Sequence, residues 1–198
     1  LQYGFTIDEA IEMIDAQQGT EAFRTSLEEQ RAKLQKEADL LRYRMAKLDS
    51  ALGLIASGDE PDFTLMDAPD QLYVRASRGR DFSISVEHER EITEFYDLLS
   101  ITSCARIIAK SDLENEQDTV NPDYINVMPV GEAHRLSHID PAHVNRLCLG
   151  KCIRFRRRVT RAESVRKEAF ADLMAYLDDH GYTLRGDIIL FPTFLNLD

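Results

Sequence analysis

The chain has 198 residues, 43% hydrophobic and 30% charged, with a formal net charge of -11. That balance excludes a collagen-like, low-complexity or disulfide-framework chain, and its acidity argues against nucleic acid wrapped over its whole surface. No window approaches the roughly 18 apolar residues of a membrane span, no signal peptide opens the chain, and Cys104, Cys148 and Cys152 are an odd, unframed set, so a reducing, cytoplasmic location is expected. The first residue is Leu1 rather than Met, and the natural start is expected upstream.

In chain order, FTIDEAIEMIDA (5–16) predicts a helix. Thr6 and Glu9 make a capping box with Phe5 before the cap, and Ile7, Ala10, Ile11 and Ile14 recur at helical spacing. Gly19 is the expected stop. Over 21–57, Leu27, Leu34, Leu41, Leu48 and Ile55 recur every seventh residue, with Ala38, Met45 and Leu52 between them and Arg31 the one misfit. This 4-3 pattern predicts a helix roughly 55 Å long, whose narrow apolar seam suits a second copy better than the surface of its own domain. The residues expected to carry dimerisation are Leu34, Leu41, Met45, Leu48 and Leu52. Ser57 to Pro61 reads as a linker.

From residue 62 the texture becomes α+β. FTLMDAPDQLYVRAS (63–77) reads as two strands broken at Pro69, and 86–99 as a helix with Ile92, Phe95, Tyr96 and Leu99 on one face. CARIIAK (104–110) and YINVMPV (124–130) read as strands around an acidic loop. Residues 143–159 read as strand, turn at Gly150, strand. A second capping box, Thr160 and Glu163, opens a helix to His180 that Gly181 stops. DIILFPTFL (187–195) is apolar almost throughout and reads as a central strand. The element order suggests a duplicated β-α-β-β unit with an antiparallel sheet, the second copy lacking its closing strand.

These residues resemble a known family. GFTIDEAIEMID before a heptad helix resembles the end of the DNA-binding domain of MerR-family transcription regulators. Residues 147–191 resemble the second half of a GyrI-like effector-binding domain, through the Leu149-Gly150-Lys151 turn, the capped helix ending DDHGY and the strand DIILFP. The resemblance implies three segments: 1–19, the end of a DNA-binding domain; 20–58, a coiled-coil dimerisation helix; and 60–198, the effector-binding domain. It implies a ligand-responsive homodimer in which a small-molecule effector acts through the coiled coil on DNA-binding heads that distort a promoter. Promoter DNA is contacted only through heads that precede this segment, so these residues are expected to dimerise but not to recognise an operator alone. No membrane role, cofactor or enzymatic activity is implied.

The resemblance also implies a pocket between the two repeats, aromatic in multidrug-sensing members, with a buried Glu on the penultimate strand that attracts cations. Tyr73, Tyr124, Phe155, Tyr176 and Phe191 are the expected ligand-binding residues, with Phe194 a further aromatic. The matching strand, Ile188 to Phe191, has no carboxylate after Asp187, so the cation anchor is missing. Plain core packing is the competing reading of each ring.

Two further clusters stand out. Arg146, Lys151, Arg154, Arg156, Arg157, Arg158, Arg161 and Arg166 crowd one stretch with Glu163 the single acid. It is either a local anion-attracting field or a face paired with the protein's own carboxylates, for example on loop 112–118. His134, His138, His143, Cys148 and Cys152 are the right types for zinc, but ordinary loop histidines and core cysteines are expected, with no metal. Phosphate-loop, dinucleotide, GxSxG and HExxH motifs are absent. The alternative to a regulator is a stand-alone GyrI-like small-molecule binding or hydrolytic domain with no DNA role. A third is an interaction module that holds an acidic protein on the Arg strand.

Overall fold

The computed structural model describes residues 3–15, 19–56, 58, 61–79, 83–84 and 88–192. The chain divides into two compact units, Leu1–Ser50 and Ala51–Asp198. It is α+β: a long helix followed by an antiparallel sheet with several strands and helices.

Helix α1 spans Ile7–Asp15 and α2 spans Thr20–Ala56. The first capping box forms: the Thr6 amide donates to Glu9 Oε2 (2.7 Å) and the Glu9 amide to Thr6 Oγ1 (3.2 Å). These bonds from Thr6 hold the Glu9 carboxyl below its ordinary value. Gly19 does not stop α1 with a left-handed residue. Its carbonyl accepts from the Phe23 amide (3.2 Å), so it opens α2 instead. Residues 16–18, between the helices, lie outside the described residues.

Within the second unit the strands are β1 (Asp62–Ala68), β2 (Gln71–Arg78), β3 (Ser83–Ile84), β4 (Ser103–Ile108), β5 (Asp123–Pro129), β6 (Asn145–Leu147), β7 (Gly150–Arg156) and β8 (Ile188–Leu190). One sheet runs β3-β2-β5-β4-β8, with β6 also on β2, and β1 pairs β7 separately. All pairings are antiparallel. Strand β5 carries four consecutive buried residues, Ile125 to Met128, which marks the middle of the sheet. On one face, Ala105, Ile125 and Val127 are buried with Tyr73, Ile107, Leu147 and Ile189 packed against them. Another core cluster joins Ile108 and Val120 to Ala169 and Phe170.

Helix α3 (Glu89–Asp97) buries Glu91, Ile92 and Phe95. Tyr96 and Leu99, expected on the apolar face, are exposed: the helix presents the 91–92–95 side, and Leu99 lies beyond its end. The acidic loop holds a short helix, α4 (Lys110–Glu114). The segment 143–159 is not a hairpin. Gly150 does turn, at φ +56, but β6 pairs with β2 and β7 with β1, so the turn passes between sheets. Arg185 donates to Leu149 O (2.6 Å) beside that turn.

The second capping box also forms, with the Thr160 amide on Glu163 Oε2 at 2.7 Å and the Glu163 amide on Thr160 Oγ1 at 3.3 Å. It opens a single 3-10 turn (Glu163–Val165) rather than a continuous helix. The chain there pairs sideways: Val120 N donates to Val165 O (2.8 Å) and Lys167 N to Asp118 O (2.9 Å). Those bonds use backbone groups that an α-helix would need, and α5 is delayed to Ala171–Asp179. It ends as expected at Gly181, φ +66, with Tyr182 N on Leu177 O (2.8 Å) and Gly181 N on Asp178 O (3.0 Å). An added Cβ would meet nothing within 4 Å, so Gly181→Ala carries only the left-handed backbone penalty. Urea unfolding is expected to show a loss of about 1 kcal/mol.

Strand β8 is at the end of the sheet on β4 and half-buried, not central. Its apolar character reflects Ile188 and Leu190 against one cluster and Ile189 against the other, since alternate residues face opposite sides. Residues 193–195, which the sequence reading places in this strand, lie outside the described residues. The order strand, helix, strand occurs as β3-α3-β4 and again as β7-α5-β8, although β7 and β8 lie in different sheets.

Candidate functional site

Along α2 the ladder side chains stand in solvent. Exposure is 43% at Leu34, 56% at Leu41, and 63% at Met45, Leu48 and Leu52. At its front, Leu27, Leu34 and Ala38 line a cleft of about 470 Å³ with Tyr3, Gly4 and Gln30. Gln30, buried, donates from Nε2 to Gly4 O (2.8 Å), tying the segment ahead of α1 onto α2. Gly4 has φ +83, and a Cβ there would sit 2.9 Å from Gln30 Nε2, so this approach requires glycine.

The five expected ligand-binding aromatics take four different settings. Phe155 and Tyr176 are brought together by Phe63, which the sequence reading omitted. Phe63 is the cross-strand partner of Phe155 and stacks on it at 5.0 Å, and on Tyr176 at 4.1 Å with 5° between planes. The column continues to His180 (4.1 Å) and Tyr182 (6.1 Å). Tyr73 instead packs on the Ala105, Ile125 and Val127 cluster, Tyr124 lies under the Arg106 guanidinium (5.2 Å to the ring centroid), and Phe191 is exposed past β8. Spacing could have identified Tyr176 and His180, one helical turn apart, but Phe63 depends on the long-range register of β1 with β7. Replacing Phe63 by Leu keeps bulk and removes the central ring. A thermal unfolding series is expected to show about 1 kcal/mol lost.

Among the described residues, three of the seven arginines in this stretch pair with the protein's own carboxylates. Arg156 Nε donates to Asp62 Oδ2 (2.8 Å), Arg157 meets Asp172 (2.9 Å), and Arg146 meets Asp70 (2.6 Å). Their partners are not on loop 112–118. That loop is joined instead through Lys167, whose Nζ donates to Asn115 O. Arg154 and Arg161 are exposed.

Cys104 and Cys148 are exposed free thiols and Cys152 is a half-buried one. Among the described residues no three His, Cys, Asp or Glu side chains gather as metal ligands. Of the histidines considered, His143 meets a carboxylate that the sequence reading did not single out. Glu91, on the buried side of α3, accepts from the Asp140 amide (3.0 Å) and lies 3.3 Å from His143 Nδ1. Burial pushes the Glu91 carboxyl up, but the Asp140 amide, its own backbone amide and His143 outweigh that and hold it below its ordinary value. His143 stands edge-on to His88 at 4.6 Å, and among the described residues His88 Nδ1 and Glu94 Oε2 are buried without hydrogen-bond partners.

Among the described residues, no helix is long and apolar enough to cross a membrane. No protein-family model matches the sequence, and no curated protein matches it. A solved structure described as the cryo-EM structure of the EcmrR-DNA complex in EcmrR-RPo is similar at 15% identity and a TM-score of 0.45, covering 100% of this chain and 74% of that one.

Proposed function

We propose that the chain is the dimerisation and effector-binding portion of a ligand-responsive transcriptional regulator. The observation that carries this reading is the exposed ladder on α2: Leu41, Met45, Leu48 and Leu52 repeat at 4-3 spacing, all more than half exposed. A regular apolar seam on a 37-residue helix is what a two-stranded coiled coil buries, and a single chain leaves it wet. The resemblance of GFTIDEAIEMID to the entry of a MerR-type dimerisation helix supports the same role, as does the capping box that forms there.

The second unit is the effector-binding part in this reading, and its packing against the ligand is passed along α2 to DNA-binding heads. The reading names no catalytic residue, cofactor or metal. Sedimentation equilibrium of the 198-residue chain tests it directly. A dimer is expected at micromolar concentration; a monomer throughout would remove the coupling element and with it the regulator reading.

A further inference from the structure

Arg106 is the one buried basic side chain among the described residues, at 6% exposure. Arg75, Arg135, Arg146, Arg156 and Arg157, all more exposed, have carboxylate partners. Arg106 has none among the described residues. Its Nη1 donates to Ser164 Oγ (2.8 Å), which in turn donates to Arg161 O (2.7 Å), and its guanidinium lies over the Tyr124 ring. A guanidinium carries five N–H donors, so one hydroxyl leaves most of them unused. A neutral hydroxyl and a ring face do not cancel a charge removed from water, and proteins seldom bury a cation without a counter-charge.

A second unused donor stands on the same face of the sheet. Arg106 opposes Tyr124, and Cys104 opposes Asn126, in alternate cross-strand pairs of β4 and β5, with Ala105 and Ile125 between them. Residues two apart on a strand share a face, so all four belong to one side. Asn126 is 2% exposed. Its Oδ1 accepts from Cys104 Sγ (3.3 Å), while its Nδ2 is buried with no partner among the described residues. Cys104 itself is exposed, so this pair of donors begins one residue from solvent. Among the described residues neither side chain faces a carboxylate. A ligand with two acceptor oxygens and a negative charge supplies what both lack, and the planar fork of an arginine fits a carboxylate. The whole chain, at -11, repels anions, so such a ligand must be held by local groups rather than by the overall field.

We propose that Arg106 and Asn126 form the binding site of a small organic carboxylate. The proposal rests on the effector-binding role given to the second unit, and it assigns the effector a negative charge, opposite to the lipophilic cations that multidrug sensors of the resembled family take.

The experiment follows Cys104, which touches Asn126. In a Cys148→Ser, Cys152→Ser chain, maleimide labelling of Cys104 is timed with benzoate, inorganic phosphate or tetraphenylphosphonium as the probe. Benzoate at about nine times its dissociation constant is expected to slow labelling roughly tenfold. Arg106→Gln abolishes that protection, and Arg106→Lys, which keeps the charge without the fork, weakens it. No protection by benzoate, equal protection by phosphate, or protection by the phosphonium alone overturns the proposal. The benzoate comparison leaves Arg106 in place, so a misfolded Arg106 variant does not blunt it. Sedimentation of the same samples separates the two readings: a monomer whose Cys104 benzoate still protects defeats the regulator and keeps this site, whereas an unprotected dimer does the reverse.

Discussion

Leu41→Asp combined with Leu48→Asp is expected to convert the dimer to monomer in sedimentation equilibrium at micromolar concentration. In the single chain these side chains are 56% and 63% exposed, so the substitution removes little from the fold of one protomer. A coiled coil would bury the exposed half of each, worth about 1–1.5 kcal/mol apiece. Two-fold symmetry doubles the count, because each substitution is present in both protomers. Four positions together carry about 4–6 kcal/mol, or roughly a 10³–10⁴-fold rise in dissociation constant. Four carboxylates facing one another across the seam add repulsion to that loss. The pair is placed at 41 and 48 rather than 27 and 34 for a physical reason. Leu27 and Leu34 also line the cleft with Tyr3 and Gly4, so changing them disturbs the first unit itself. Circular dichroism should be nearly unchanged; a double variant that sediments with the wild-type dissociation constant would remove the ladder from any interface.

What could be read ahead of the structure was whatever is decided within a few residues. Thr6 with Glu9 and Thr160 with Glu163 both close as capping boxes, because the bonds span three residues and need no help from the rest of the chain. The length of α2 followed from a period repeated many times. The misreadings all arise where distant backbone decides. Val120 and Asp118 capture the backbone of Val165 and Lys167, and that delays α5 in a segment whose cap and apolar spacing are both helical. β6 and β7 are adjacent in sequence and have hairpin-like turn chemistry, yet each finds a longer partner elsewhere, in β2 and β1.

The candidate sites follow the same rule. Phe155 and Tyr176 stand out in the sequence as rings, but Phe63, which stacks between them, becomes visible only with the β1–β7 register. Next to the strand that matches the resembled family's carboxylate-bearing one, Asp187 is exposed and accepts from Lys110 N (3.0 Å). Among the described residues the buried acid is Glu91, in the sequence EREITEF, where a glutamate reads as part of a solvated helix face. Arg106 is hidden in the same way: one arginine in an apolar strand carries no signal until its neighbours are known, and among the described residues none that faces it is an acid.

Acid is expected to destabilise the second unit through Glu91. Its folded-state carboxyl lies below the ordinary value of 4.5, so the ionised form is favoured by folding. A carboxylate of this kind contributes fully above its unfolded value, and the contribution is lost as pH falls through the folded one. Glu91→Gln separates the charge from the hydrogen bond. The amide oxygen still accepts from the Asp140 amide, now without a charge to lose. Stability measured by urea unfolding should therefore fall less steeply below about pH 4.5 in Glu91→Gln than in the wild type. Glu91→Ala removes the acceptor as well, leaving the Asp140 amide unpaired and a void beside His143. The expected loss is about 1–2 kcal/mol at neutral pH, from a part-buried hydrogen bond lost and a side chain removed from the buried side of α3. The two variants differ in what they predict at neutral pH, where Glu91→Gln keeps most of the stability that Glu91→Ala loses. If Glu91→Gln kept the wild-type slope in acid, the titrating group would lie elsewhere, and the link from α3 to the 137–143 segment would be held by shape rather than by charge.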